Sequence, residues 1–152
     1  MYNTILVPLD GSKRAEAILR HIEELAQRYH ATVVFLRVVE PVLLYVAPEG
    51  TYPALEQQEF ERRWEEAESY LAVRQGEFRE KGIEARVRVV HGPTVEAIIN
   101  TAERDRADLI AIASHGRSGL SHVFYGNVAA GVLHRVDRPL LVVRSRGSEP
   151  SR

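Results

Sequence analysis

The sequence predicts an α/β protein: a three-layer, Rossmann-like fold with a five-stranded parallel sheet between two layers of helices. Three observations predict it. Short apolar runs alternate strictly along the chain with segments whose apolar residues recur at helical spacing. The runs are mostly continuous rather than alternating, as in strands buried on both faces. The order β-α-β-α-β-α-β-α-β is that of right-handed crossovers joining parallel strands.

Ile5-Leu6-Val7-Pro8-Leu9 reads as the first strand, ended by Asp10-Gly11-Ser12, with Ser12 as N-cap of the first helix. Ala15, Ile18, Leu19, Ile22, Leu25, Ala26 and Tyr29 form that helix's apolar face. Thr32 to Val39 is rich in β-branched residues and reads as strand two, stopped by Pro41. Residues 41–53 read as irregular, although Val42-Leu43-Leu44-Tyr45-Val46 is apolar for a loop. Helix two is expected over 54–81, with Phe60, Trp64, Ala67, Leu71 and Phe78 inward and Gly82 just past its end.

Strand three, 85–90, alternates in part and belongs near a sheet edge. Gly92-Pro93-Thr94 opens helix three, whose inner face carries Ile98, Ile99 and Ala102. Strand four is expected over 108–113, helix four over 127–136 and strand five over 140–143, with a polar tail from Ser145.

With 152 residues the chain fits one domain, expected over 1–145, followed by the tail. A formal net charge of −1 gives no pull toward nucleic acid or an anionic membrane. Without cysteine there are no disulfides and no thiolate sites. No apolar run approaches ~18 residues, and Met1-Tyr2-Asn3-Thr4 does not open like a secretory leader. A cytoplasmic location is therefore expected.

In parallel sheets of this kind ligands bind beyond the carboxyl ends of the strands. Asp10, ending strand one, either accepts from a ribose hydroxyl or only caps the turn into helix one; spacing leaves the two readings level. Val38 and Val39, ending strand two, read as core, with a backbone that could meet an adenine edge. Strand four leads into Ser114-His115-Gly116-Arg117-Ser118-Gly119, then Gly126-Asn127-Val128 at the expected start of helix four. Glycines let a backbone approach an anion, and helix N-termini present free N–H groups to it. Arg117 could pair with a phosphate, though a loop arginine is more often solvated, and His115 could be a general base, contact a phosphate or, as is commoner, serve as a hydrogen-bonding scaffold. The six histidines lack metal-ligand spacing, and no P-loop, G-x-G-x-x-G turn or nucleophile elbow is present.

Taken together, Ile5-Leu6-Val7-Pro8-Leu9-Asp10-Gly11-Ser12, Gly92-Pro93, Ala107-Asp108-Leu109-Ile110, Ser114-His115-Gly116-Arg117-Ser118-Gly119-Leu120 and Arg138-Pro139-Leu140-Leu141-Val142-Val143 resemble the universal stress protein family. The resemblance implies strand order 3-2-1-4-5, the adenine nucleotide alpha hydrolase-like arrangement. It also implies a homodimer joined through strand five, at Leu140 and Val142; an apolar edge strand independently invites such pairing.

ATP-binding relatives carry the pattern G-x2-G-x9-G-[ST]. It falls here on Ala113, Gly116, Gly126 and Asn127, with the nine-residue spacing kept and the first and last positions changed. The implied nucleotide site is Pro8, Leu9, Asp10, Val38, Ile112, Ala113, Gly116, Arg117, Gly126, Asn127 and Val128. In it Pro8 and Asp10 face adenine and ribose, Val38 meets adenine through its backbone, and Ile112 and Val128 complete the pocket. The function expected is a homodimeric stress-response module that binds ATP, or ADP or AMP, with Mg²⁺ as a companion ion. The alternative is a dimeric interaction protein with a degenerate loop, which Ala113 and Asn127 favour. Slow ATP hydrolysis ranks below both, because no residue is nominated as catalytic.

Overall fold

Apolar runs of five to eight residues are too short to bury much as helices, and in the chain they form strands. The computed structural model describes residues 1–41, 53–115 and 120–145. Its strands are β1 (Thr4–Pro8), β2 (Thr32–Val39), β3 (Ala85–His91), β4 (Leu109–His115) and β5 (Leu140–Ser145). They form one sheet of order β3-β2-β1-β4-β5, and every pairing is parallel. The helices between them are α1 (Leu19–Tyr29), α2 (Pro53–Glu80), α3 (Thr94–Arg104) and α4 (Leu120–Arg135).

Alternate residues of each strand enter two different cores. Ile5, Val7, Val33, Phe35, Leu109 and Ala111 join Ile18, Ile22, Leu71 and Phe78 on the α1 and α2 side. Leu6, Val34, Leu36, Ile110 and Ile112 join Ile98, Ala102 and Val132 on the α3 and α4 side. Both faces of the central strands are therefore buried, which is why their sequences read as continuous apolar runs.

The end of α2 follows the sequence, but Ser12 is not the N-cap of α1, which is Ile18 and has no side-chain cap bond. The Ser12 hydroxyl accepts from the Ala15 N–H at 3.1 Å. A turn of 3-10 helix over Ala15–Ile18 then leads into α1. Gly82 has a φ of +77°, and its N–H bonds Arg79 at 3.0 Å, closing α2. β3 does lie at an edge. Pro93, extended, sits at the N-cap of α3.

Boundaries around β4, β5 and α4 differ most from expectation. β4 runs on through His115, because β5 extends to Ser145 and supplies a partner: Ser114 pairs with Arg144 and His115 with Ser145. Ser145 is thus a strand residue with a buried side chain rather than the start of the tail. α4 begins at Leu120, seven residues before the expected Asn127. Gly126 read as a boundary, but a single glycine inside a helix costs only about 1 kcal/mol relative to alanine, and no proline interrupts 120–126. The expected irregular segment 41–53 and the tail after Ser145 lie almost entirely outside the described residues.

Candidate functional site

Parallel strands that diverge at a switch point leave a crevice beyond their carboxyl ends. Here β1 pairs with β2 on one side and β4 on the other, and a cavity of about 460 Å³ opens above them. β1 and its turn bring Pro8, Leu9 and Asp10; β2 brings Leu36 to Val39; β4 brings Ile112 and Ala113. Thr94 and Ile98 of α3 and Val128 of α4 close one side, and Ala15 with Arg63 and Glu66 of α2 close the other.

Of the residues expected at the site, Pro8, Leu9, Asp10, Val38, Ile112, Ala113 and Val128 line this one cavity. Gly116 and Arg117 lie outside the described residues. Gly126 and Asn127 fall within α4, so they do not form its N-terminus, and Asn127 is exposed. The peptide N–H groups left free by the helix are those of its first turn, from Leu120.

Asp10 has a turn-forming role. Its Oδ1 accepts from the Ser12 N–H at 2.9 Å and from the Ser12 hydroxyl at 2.6 Å. Neither of these bonds uses Oδ2, and Asp10 is exposed at the cavity edge. The capping contact therefore leaves the second carboxylate oxygen available to accept a further bond.

The remaining charged groups of the cavity are not alike. Arg63 Nε lies 3.0 Å from Glu59 Oε1, and Glu66 Oε2 lies 3.3 Å from Arg62. Hydrogen bonds from Arg62 and Arg63 hold the Glu59 carboxyl well below the usual range, at about 2. Glu40 accepts from the Thr94 hydroxyl. Arg37 has no carboxylate partner among the described residues, and its Nη1 is buried without an acceptor. Its guanidinium carbon lies 5.2 Å from the centroid of the Tyr70 ring. The Tyr70 hydroxyl donates to Glu16 at 2.8 Å, and Arg74 reaches the same carboxylate oxygen at 2.7 Å. Burial first, and then the bond to Glu16, push the Tyr70 phenol above its ordinary pKa.

Arg37, Glu40, Arg63, Glu66, Thr94 and Ile98 also line the cavity, and none of them stands out in the sequence as a site residue. An arginine between a leucine and a valine in a strand gives no site signal, and the α2 pair meets the cavity only through packing. Among the described residues no group of three or more histidine or acidic side chains is placed to hold a metal ion.

The five-stranded order and the cavity above β1, β2 and β4 define a Rossmann-like α/β protein with a ligand crevice at its switch point. The Universal stress protein family profile matches residues 1–144, and the chain belongs to that family. It is 29% identical to Universal stress protein MJ0577 of Methanocaldococcus jannaschii, over 97% of this chain and 98% of that one. The solved structure of MJ0577 superposes with a TM-score of 0.82 at 28% identity, covering 98% of this chain and 99% of the other.

Two more distant structures share the fold. A universal stress protein in complex with cAMP has a TM-score of 0.61 at 21% identity, covering 95% of this chain and 98% of its own. A family member from Arabidopsis thaliana with AMP bound has a TM-score of 0.63 at 16% identity, covering 96% of this chain and 93% of its own.

Proposed function

We propose that this universal stress protein is an adenine-nucleotide-binding module that works as a homodimer. The observation that carries the reading is the convergence of Pro8, Asp10, Val38, Ile112 and Val128 on one cavity. An apolar wall beside a few polar groups is the usual make-up of a small-molecule site, and about 460 Å³ lies within the usual range for one. Adenine stacks against Val38, Ile112 and Val128, and the free oxygen of Asp10 accepts from the ribose. The phosphates extend toward Gly116, Arg117 and the first turn of α4, where free N–H groups favour an anion. The structures of relatives with cAMP and AMP support the adenine assignment.

Calorimetric titration with ATP, ADP and AMP tests this reading. Saturable heat with at least one of them is the expected result, and no heat at millimolar nucleotide rejects it. The placement of Gly126 and Asn127 inside α4 favours the second reading, a nucleotide-independent interaction protein. For that protein the same titration is silent while the dimer persists.

Dimerisation is assigned to β5. It is an outer strand of the sheet, and Val142 is 43% exposed on it. An unpaired strand edge with an apolar side chain invites a second copy. Sedimentation should give twice the 17.2 kDa chain mass, and Val142→Lys should return the monomer.

A further inference from the structure

Arg37 is built into the cavity in a way its strand neighbours are not. It lies on β2 between Leu36 and Val38, which belong to the apolar α3 and α4 side. Its own side chain emerges on the opposite side and lies over Tyr70 of α2. Gly11, at a φ of +87°, lets it in: a Cβ there would sit 2.7 Å from Arg37 Nη1. The turn after β1 therefore has a glycine both for its backbone conformation and for the space that the guanidinium fills.

The charge of Arg37 has no carboxylate partner among the described residues. Asp10, Glu40, Arg63 and Glu66, the other charged residues lining the cavity, each have a hydrogen-bonded or ionic partner. Arg37 has an aromatic face and a buried N–H without an acceptor. A guanidinium held against an aromatic ring, with an N–H that has no acceptor among the described residues, is suited to an oxyanion.

We propose that Arg37 binds an anionic oxygen of the ligand, and that it gives the cavity a preference for a phosphorylated nucleoside over the free nucleoside. This rests on the nucleotide reading above and adds a phosphate-reading residue on the β1–β2 side, apart from the glycine-rich segment after β4.

The test compares AMP and adenosine on wild type, Arg37→Gln and Arg37→Lys by calorimetry. Wild type should bind AMP more tightly than adenosine. Arg37→Gln should weaken AMP roughly 10- to 100-fold, the range for losing a charge-assisted hydrogen bond, and leave adenosine within about threefold. Arg37→Lys should recover part of the loss, and raising salt should narrow the difference between wild type and Arg37→Gln.

Four results overturn the proposal. In the first, Arg37→Gln leaves AMP affinity unchanged; in the second, it weakens AMP and adenosine by one factor, which marks a structural role. Wild type that binds adenosine as tightly as AMP also overturns it, while leaving the adenine reading intact. Wild type that binds neither compound ends both readings together.

Discussion

Leu36, Arg37 and Val38 are consecutive on β2, yet they build opposite walls of the same cavity. Leu36 and Val38 join the apolar wall with Ile98, Ile112 and Val128. Arg37 stands on the other side with Arg63 and Glu66 of α2. The strand's period of two places them so, because neighbouring side chains point to opposite faces. The apolar wall continues the core and is held by packing. The charged wall is held by pairings between surface groups, Arg37 excepted. One wall supplies shape and apolar area to a ligand, and the other supplies charge.

Blocking the apolar wall should have the largest effect on binding. Val38→Trp places an indole in the cavity mouth and should weaken AMP by at least about 100-fold, with overpacking costing about 1–3 kcal/mol of stability. Calorimetry and urea denaturation measure the two effects separately. Unchanged AMP affinity would mean that the ligand lies elsewhere.

The next comparison sets two neighbours side by side. Leu36 is fully buried, so Leu36→Ala should cost about 2–5 kcal/mol in urea denaturation. Arg37→Ala removes a charge without an ionic partner among the described residues and should cost less than about 1 kcal/mol. Equal losses would show that Arg37 is a packing residue and that the two walls do not differ.

Smaller effects separate the two jobs of Asp10. Asp10→Ala removes the acceptor for both Ser12 donors and should cost about 1 kcal/mol. Asp10→Asn keeps an acceptor oxygen, so its denaturation midpoint should stay close to wild type. The smallest effect concerns Tyr70, whose raised pKa means that its neutral form is favoured by folding. The stability it contributes is complete below the ordinary tyrosine range and is lost as pH climbs through the raised value. Tyr70→Phe should therefore show a weaker alkaline decline in melting temperature than wild type.

The same contrast decides what could be read before the structure. β1 and β2 are legible because burial on two faces leaves an unbroken apolar run. The apolar wall follows from them, since Val38, Ile112 and Val128 sit where such runs end or a helix packs. Arg37 was not legible: its burial depends on Gly11 and on Tyr70, 26 residues before it and 33 after it. Ser145 was hidden for a similar reason, because only its pairing with His115 makes it part of a strand. The start of α4 was misplaced because Gly126 is a weak helix breaker rather than a stop. The two roles of Asp10 stayed level in the sequence; the structure displays the turn bonds and leaves one oxygen open.

The most direct test of the account is a titration of AMP into isotope-labelled protein, followed through methyl resonances. The methyl groups of Val38, Ile112 and Val128 should shift and saturate together. Those of Val33, at the other end of β2 and fully buried, should stay in place. No shift at millimolar AMP, or shifts confined to β5 and its neighbours, would contradict the claim that this cavity holds the nucleotide.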